Sequence, residues 1–600
     1  MDNSPLERPL LVFDGDCSFC RAWVDYWQQR TGSKVGYAPY QEIGEHFGVK
    51  RQEFAAAVKL ITPDGEVRSG AHAVFKLLDL VPTKRWMLWL YLQFPFFALL
   101  AEAVYGLVAR HRSFAYWVTR VLWGIPVEPQ TFRAASWVFL RALGVVYAIA
   151  FASFGAQAAG LIGSRGISPI ADLLGPVHRY YGTAAYWNLP TLLWFNASDA
   201  AIKAIWITGL CLALLLALGV RWRVIPITLF ILYLSLVSAG QEFMGFQWDA
   251  LLLEAGFLAI FLGLAPVVVW LYRWLLFKLM FLSGAVKLAS GDPSWRSFTA
   301  LPVHYQTQPL PTPLAWYMYQ LPGWFQRMSV GVVFFVELLV PFLIFAPRRA
   351  RMFAAGAITL LQVLIFLTGN YAFFNLLTVS LCLFLLDDAL LERMLPETLG
   401  KLLARESART PGYFSQILCR PVATLALFVG FFQVVGTFGV HWAPAEFVTQ
   451  AIAPLEIVNS YGLFAVMTTT RPEIIVEGSN DGSTWLAYDF KYKPGDLGRR
   501  PVWVQPHQPR LDWQMWFAAL GDYQSDPWVV HFLGRLLEGS PEVLRLLADN
   551  PFPVAPPRYV RAMLYEYRFS TPAEKNATGD WWSRELKGVY VPAVGLRARQ

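Results

Sequence analysis

The chain has 600 residues, of which 56% are hydrophobic and only 15% are charged, whereas a soluble domain has about 45–50% apolar and about 25% charged residues. This composition excludes a disordered protein, a collagen-like fibre and an ordinary soluble enzyme, and it predicts a protein embedded in a lipid bilayer. In so apolar a chain, the formal net charge of +8 indicates basic cytoplasmic loops of a membrane protein more than binding to nucleic acid. We therefore expect no nucleic-acid partner.

Residues 1–130 are predicted to form a soluble α/β domain. An apolar run at 10–13 precedes a turn and a helix, and two later strands flank the hairpin signal at 63–65. The predicted order, β-α-β-(α)-β-β-α, is that of a thioredoxin-like fold. Residues 86–123 are rich in Trp, Phe and Leu but carry several charges, which is typical of interfacial helices. Because no cleavable signal peptide is evident, we expect this domain in the cytoplasm.

Cys17 and Cys20 form a CxxC motif where the first strand gives way to a helix. A helix N-terminus stabilises a thiolate, and this spacing lets Cys17 attack a disulfide and Cys20 resolve the product. The motif therefore predicts a catalytic thiol–disulfide oxidoreductase site. Two alternatives stay open: a pair of structural thiols, or half of a zinc site completed by His46 and His72. We expect no metal and no cofactor.

The surroundings of this motif are similar to the signature of the DCC family of thiol–disulfide oxidoreductases, also filed as a domain of unknown function. The signature covers 12–20, and further similarity lies at 37–39 and 68–73. The resemblance implies a redox domain over about residues 8–125 and a thiol redox partner. The motif residues that it implies as support for the dithiol are Asp14, Gly15 and Asp16.

Residues 131–440 are predicted to form the membrane domain of a mainly α, polytopic protein. A span needs about 20 apolar residues, with a range of about 17–25, and several runs lie near the lower limit. About nine transmembrane helices are predicted, at 134–155, 204–220, 224–239, 250–268, 270–288, 328–346, 352–369, 371–387 and 421–439.

The basic residues give these spans an orientation. If the N-terminus is cytoplasmic, each short loop predicted inside carries Lys or Arg, and both short outside loops carry neither. This pattern follows the positive-inside rule, and an odd number of spans places residues 441–600 outside the cytoplasm. The most basic inside loop holds Arg393, Lys401, Arg405, Arg409 and Arg420.

Residues 441–600 are predicted to form an extracytoplasmic α+β domain. A strong turn signal at 479–483 separates two of its strands. Strands are predicted at 462–469, 473–477, 485–490, 559–569 and 587–591, and helices at 512–520, 528–538 and 542–548.

Four ionisable residues in the spans are candidates for function, because charged groups inside a membrane are costly. Asp249 is expected at the outer boundary with Glu254 about one turn deeper, and Lys278 and Lys287 lie on the next span. Since these spans form an antiparallel hairpin, we predict that Glu254 pairs with Lys287. Such a pair either belongs to a functional site or only fixes helix packing. The sequence leaves open whether Lys278 snorkels or loses its charge.

A second resemblance is carried by segments at 246–257, 278–288, 292–295, 304–309, 370–375, 459–464, 471–483 and 506–516. Through these segments most of the chain, from about residue 135 to about residue 592, resembles the lipase maturation factor family. The resemblance implies a membrane-embedded folding factor, of which the animal members act in the endoplasmic reticulum on dimeric lipases.

This resemblance implies a maturation factor for exported lipase-like enzymes, with such an enzyme and the lipid bilayer as partners. The animal proteins lack a fused redox domain, so the combination favours a bacterial inner membrane, with the client on the outer side. Two alternatives stay open: a membrane enzyme, either a thiol oxidoreductase or carboxylase-like, and a transporter, which the absence of inverted repeats disfavours.

Aromatic residues in an outer loop and in the C-terminal domain are candidates for a surface that holds partly folded apolar clients. The alternative is an aromatic belt at the membrane interface, and the histidines among them are equally compatible with a structural role. The candidates are Trp295, His304, Tyr305, His507, Trp513 and Trp516.

Overall fold

The computed structural model describes residues 6–43, 46–81, 84–394 and 413–596. It divides into two compact units. One contains the residues up to Thr131 together with Ala346–Phe353, and the other contains the remainder, so the predicted membrane and C-terminal domains share one unit. Three basic residues of the predicted inside loop lie outside the described residues, namely Lys401, Arg405 and Arg409.

The N-terminal unit contains a four-stranded sheet made of β1 (Leu10–Phe13), β2 (Gly36–Pro39), β3 (Lys59–Ile61) and β4 (Val67–Ser69). The strands lie in the order β2-β1-β3-β4, with β1 parallel to β2 and antiparallel to β3. Leu11 lies opposite Tyr37 on one side and Leu60 on the other, which makes the most apolar strand central.

Helices α1 and α4 of this unit cover the sheet through Val24 and Leu77, which pack in one cluster with Leu11 and Leu60. Up to α4 the order is β-α-β-α-α-β-β-α, which adds one short helix to the predicted order. The helices are α1 (Ser18–Thr31), α2 (Tyr40–Ile43), α3 (Arg51–Ala56), α4 (Gly70–Asp79), α5 (Arg85–Gln93), α6 (Pro95–Arg110) and α7 (Arg112–Leu122).

After residue 132 the chain is mostly helical. Six helices of the described part are long and apolar enough to cross a membrane. The number rises to eight if each of two bent helix pairs counts as one span, and one of these pairs, α5 with α6, precedes residue 132. The helices are α8 (Arg133–Gly155), α9 (Ala158–Ile162), α10 (Ile170–Tyr181), α11 (Ala185–Asn188), α12 (Asp199–Leu218), α13 (Val224–Ala239), α14 (Gln247–Phe261), α15 (Val267–Ala289), α16 (Pro293–Arg296), α17 (Ala300–Thr307), α18 (Pro313–Tyr319), α19 (Gly323–Phe334), α20 (Arg348–Thr368), α21 (Phe374–Cys382), α22 (Asp388–Met394) and α23 (Tyr413–Gly436).

The predicted count of nine spans is not confirmed. All nine apolar runs contain a helix, but α13 has 16 residues and α14 has 15. Such helices are about 24 Å and about 22 Å long, which is less than a hydrocarbon core of about 30 Å. The chain also bends by 118° between two helical segments, Phe374–Leu385, which begins with α21, and α22. These three runs therefore fall short of a straight span.

The C-terminal part carries a second, antiparallel sheet of β5 (Arg471–Ser479), β6 (Leu486–Tyr488), β7 (Tyr559–Phe569) and β8 (Trp582–Val594) in the order β6-β5-β7-β8. Its helices are α24 (Ala443–Ile452), α25 (Arg510–Ala519), α26 (Pro527–Leu537), α27 (Pro541–Leu544) and α28 (Pro572–Thr578).

The strand predicted at 462–469 is wrong, because this segment is a loop. Its backbone groups are bound by side chains instead of a neighbouring strand. Met467 N donates to Asp292 Oδ2 at 2.9 Å, and Phe464 O accepts from Trp295 Nε1 at 2.9 Å. The apolar residues Phe464 and Met467 of this segment pack in one cluster with Trp295.

Candidate functional site

Cys17 and Cys20 lie at the N-terminus of α1, where Cys17 is the N-cap residue. Cys17 Sγ accepts hydrogen bonds from Cys20 N at 3.2 Å and from the Cys20 thiol at 2.6 Å. Both cysteines are free and half-buried. Burial, reinforced by the hydrogen bond to Cys17, raises the pKa of Cys20. Cys20 therefore keeps its proton and donates it in a hydrogen bond to Cys17, an arrangement compatible with Cys17 as the attacking thiol and Cys20 as the resolving thiol.

The loop before Cys17 is held by Gln41 of α2. Gln41 Nε2 donates to Asp14 Oδ1 at 3.0 Å and to Asp16 Oδ2 at 3.1 Å, and Gln41 Oε1 accepts from Gly15 N at 3.1 Å. A Cβ atom on residue 15 would lie 2.7 Å from Pro39 Cβ, so only glycine fits there. The three motif residues implied as support thus hold the shape of the loop that precedes the dithiol.

Arg112 of α7 fixes the same loop from the other side. It forms an ion pair with Asp14 at 2.7 Å and donates to the carbonyl oxygens of Ala55 and Ala56 at 2.6 and 3.1 Å. Its positive charge acts to lower the pKa of Cys20, against the larger effect of burial. Sequence reasoning missed both Gln41 and Arg112, because each lies outside the CxxC signature and neither residue type marks a redox site.

An open cleft of about 900 Å³ adjoins this loop, with Arg112 in its wall. Glu102 of α6 also lines the cleft and accepts from the first amides of α4, Ala71 N at 3.2 Å and His72 N at 3.0 Å. Tyr105 accepts from Val58 N at 2.9 Å. Neither cysteine lines this cleft, which is connected to the loop before the dithiol through Arg112 and its ion pair with Asp14. Among the described residues, no group of three or more His, Cys, Asp or Glu is arranged to hold a metal ion.

The predicted pairing of Glu254 with Lys287 is wrong, because Glu254 pairs with Lys278 at 2.9 Å. The register of the α14–α15 hairpin explains the difference, since Tyr272 donates to Ala255 O at 2.8 Å close to the turn. Lys287 lies nine residues after Lys278, which is about 14 Å further along α15. Both members of the observed pair are buried.

Lys287 forms a buried ion pair with Glu337 instead, at 2.8 Å. Glu337 lies in a π-helical segment, Phe335–Leu339, that follows α19. Short π-helical segments inside α-helices are often found at functional sites. Sequence reasoning missed Glu337, although an acidic residue in the apolar run 328–346 carries the same signal as Glu254 does.

Asp249 pairs with Arg510 of α25 through both guanidinium NH groups at 3.0 Å. The hydroxyl of Tyr233 donates to the same carboxylate at 2.5 Å. All three groups are buried. Arg510 comes from a stretch of ordinary soluble composition, so no hydropathy signal pointed to it.

Glu254 also binds the segment that leads into the C-terminal sheet. Its Oε2 accepts from Asn459 N and from the Tyr461 hydroxyl, each at 2.7 Å. Lys278 completes the cluster by donating to Asn459 O at 3.0 Å. These residues come from three of the segments that resemble the lipase maturation factor family, so the segments meet in the interior of one unit.

The six candidates for a client surface do not form an exposed surface, because four of them are buried and the two histidines are half-buried. Two of them are hydrogen-bonded within the protein: Trp516 Nε1 donates to Thr307 O at 2.8 Å, and His304 Nε2 lies 2.9 Å from the Tyr371 hydroxyl. Aromatic composition did not distinguish an interior contact from a client surface. The buried candidates are Trp295, Tyr305, Trp513 and Trp516.

His507 Nδ1 lies 2.9 Å from the hydroxyl of Ser153, which itself accepts from Gln508 N at 3.0 Å. The Ser153 hydroxyl and His507 Nδ1 share one hydrogen bond, whose donor depends on the tautomer of the imidazole. Burial and the nearby charges of Arg510 and Lys491 lower the pKa of His507 to about 4. His507 is therefore neutral at pH near 7.

Three known families match three successive regions of the chain. Residues 134–393 match the family model of the lipase maturation factor transmembrane domain, and residues 457–592 match that of the lipase maturation factor C-terminal domain. Residues 11–117 match a DCC1-like thiol-disulfide oxidoreductase. No solved structure matches the chain.

Individual relatives are similar over most of their length. Lipase maturation factor 2 of Homo sapiens is 38% identical over 585 residues, which covers 76% of this chain and 82% of that protein. Lipase maturation factor 2 of Rattus norvegicus is 36% identical, with 77% and 83% covered. Lipase maturation factor 1 of Bos taurus is 36% identical, with 82% and 91% covered. The chain is a membrane protein that belongs to the lipase maturation factor family.

Proposed function

We propose that the chain is a membrane-embedded maturation factor, which helps an exported lipase-like enzyme reach its folded and active form. The observation that carries this proposal is the match of both family regions, 134–393 and 457–592, to lipase maturation factors. The buried contacts of Glu254 and Asp249 with the C-terminal part support a shared role of the two regions. These contacts hold the C-terminal part, which faces the client in this proposal, on the membrane helices.

The membrane arrangement is part of this proposal. Nine spans, a cytoplasmic N-terminus and an extracytoplasmic C-terminal part are supported by the basic residues of the loops predicted inside. A bacterial inner membrane is supported by the fused redox domain. The client then folds on the outer side, next to the C-terminal sheet, and the bilayer separates it from the dithiol.

The N-terminal unit acts in this proposal as a thioredoxin-like thiol–disulfide oxidoreductase with a thiol partner. The strand order β2-β1-β3-β4 and the dithiol at the start of α1 support this role. Cys17 attacks a partner disulfide and forms a mixed disulfide while one partner thiolate leaves. Cys20, after losing its proton, displaces the second partner thiolate and leaves a Cys17–Cys20 disulfide.

Deletion of the protein from its host tests the maturation role. We expect an exported lipase of the same host to lose specific activity while its transcript level stays unchanged, and re-expression to restore the activity. Unchanged lipase abundance and specific activity in the deletion strain would count against the proposal.

Trapping of mixed disulfides tests the redox role independently. In the full-length chain, Cys20→Ser is expected to accumulate a covalent adduct on Cys17 that reductant removes, and Cys17→Ser is expected to form none. If neither variant forms an adduct and the wild-type dithiol stays reduced under oxidising conditions, the thiols are structural and the oxidoreductase role is wrong.

A further inference from the structure

Three consecutive helices of the N-terminal unit, α5, α6 and α7, expose large apolar side chains. Phe96 is 79% exposed, Leu99 71% and Phe114 64%. A soluble surface seldom carries a continuous patch of this kind without a partner. The same helices also expose Trp86, Trp89 and Trp117.

Helix α6 has two different faces. Its exposed apolar residues include Phe96, Leu99 and Leu107, which fall on one side of a helix that turns about 100° per residue. Glu102 and Tyr105 lie on the opposite side and line the polar cleft that Arg112 also borders. The helix therefore separates an apolar surface from the polar cleft.

Neither helix of the α5–α6 pair is long enough to cross a bilayer. α5 has 9 residues and α6 has 16, which correspond to about 14 Å and about 24 Å against a hydrocarbon core of about 30 Å. The two helices meet at an angle of 112°. A bent, short and amphipathic pair of this kind is suited to lie in the membrane interface.

The charges at the helix ends favour lipid over another protein as the occupant of this face. Arg85 begins α5, Arg110 ends α6, and Arg120 lies in the last turn of α7. Tryptophan and arginine beside an apolar stripe are typical of surfaces that insert between anionic headgroups.

We propose that α5–α7 seat the N-terminal unit on the bilayer surface, with the apolar face of α6 between the lipid headgroups and the polar cleft turned to the water. The dithiol is thereby confined to within a helix diameter or two of the membrane, where it can meet partners at the membrane surface. This placement is independent of the maturation role.

Depth-dependent fluorescence quenching in the full-length chain tests the proposal. A fluorescent amino acid is placed at Leu99, and the protein is reconstituted into vesicles with lipids brominated either near the headgroup or near the chain end. We expect stronger quenching by the shallow bromines. Ile207, half-way along α12 and 37% exposed, serves as the deep control, and the exposed Gln29 of α1 serves as the control in water.

Each outcome decides the question. Quenching at Leu99 that equals that at Gln29 would mean that water or another protein covers the face, and a preference for deep bromines, as at Ile207, would mean that the pair crosses the bilayer. Either result overturns the proposal. A variant with Phe96→Glu and Leu107→Glu should reduce the shallow quenching at Leu99 at least about threefold, because a carboxylate is costly to insert. These side chains are exposed, so the core stays intact.

Discussion

Glu254 binds Lys278, Asn459 and Tyr461, so one carboxylate joins two membrane helices to the segment before the C-terminal sheet. A buried ion pair adds little net stability when it forms, but removing one partner leaves a charge without compensation and costs about 3–5 kcal/mol. Single and double substitutions therefore measure the pairing directly.

Lys278→Met is expected to lower the free energy of unfolding in detergent by about 3 kcal/mol. In a Glu254→Gln background the same substitution should cost less, with a coupling energy of about 1–3 kcal/mol. Lys287→Met and Glu337→Gln should be coupled in the same way, because they form the second pair at 2.8 Å.

The matched control combines Lys287→Met with Glu254→Gln, the pair that the sequence predicted. Since these residues form no ion pair with each other, their effects should add to within about 0.5 kcal/mol. Coupling of Lys287 to Glu254 in place of Glu337 would show that the hairpin register described above is wrong.

His507 makes the stability of the larger unit dependent on pH. Its pKa of about 4 lies below the value of about 6.5 in an unfolded chain. The stability due to the neutral imidazole is therefore present above about pH 6.5 and is lost as the pH falls toward about 4. We expect the apparent Tm in detergent to fall less steeply between about pH 7 and about pH 5 in His507→Gln than in the wild type.

The exposed His531 of α26 provides the control for this measurement. His531→Gln should keep the slope of the wild type. If His507→Gln has the wild-type slope as well, the imidazole is already protonated or free of the interior, and its assignment as a neutral hydrogen-bond partner of Ser153 fails.

The residue types alone were enough to select Asp249, Glu254, Lys278 and Lys287 as candidates for function, because a charged residue in an apolar run is conspicuous. Their partners could not be predicted in the same way. Pairing depends on helix register in three dimensions, and Arg510 comes from a stretch whose composition is ordinary. The CxxC motif was likewise visible in sequence, but the residues that hold its loop in place were not.

Helices α8 and α12 pack so closely that glycine is required at their contact. A Cβ atom on Gly144 of α8 would lie 2.5 Å from Ala217 N of α12, and the helix backbones would have to separate. Small residues allow membrane helices to approach in this way.

Gly144→Ala is therefore expected to lower the Tm in detergent, because overpacking costs about 1–3 kcal/mol and exceeds the gain in helix propensity of about 1 kcal/mol. Gly356→Ala in α20 is the matched control, since a Cβ atom there meets nothing within 4 Å. The control should leave the Tm unchanged or raise it. Equal effects of both substitutions would show that α8 and α12 do not pack at Gly144.

Sequence patterns located elements well where one period dominates. The strand predicted at 559–569 coincides with β7, and each apolar run contains a helix. Sequence patterns failed where tertiary contacts decide the secondary structure, as in the loop at 462–469. The number of spans also depends on helix length and bending, which composition does not reveal.

At the scale of the whole molecule, the chain combines a redox domain with a lipase maturation factor whose membrane helices and C-terminal sheet form one compact unit. Family resemblance predicted this combination of families from sequence, but not that the membrane helices and the C-terminal sheet share one unit. The interior contacts between 246–257, 278–288, 459–464 and 506–516 give a physical reason for the similarity, because residues in all four segments bind one another.

The specific activity of an exported host lipase, measured as activity per mass of secreted lipase, tests the maturation role most directly. It should be high with the wild-type chain, low in the deletion strain, and low with Lys278→Met even where that variant is present in the membrane at wild-type amount. A specific activity that stays the same in all three strains would contradict the account.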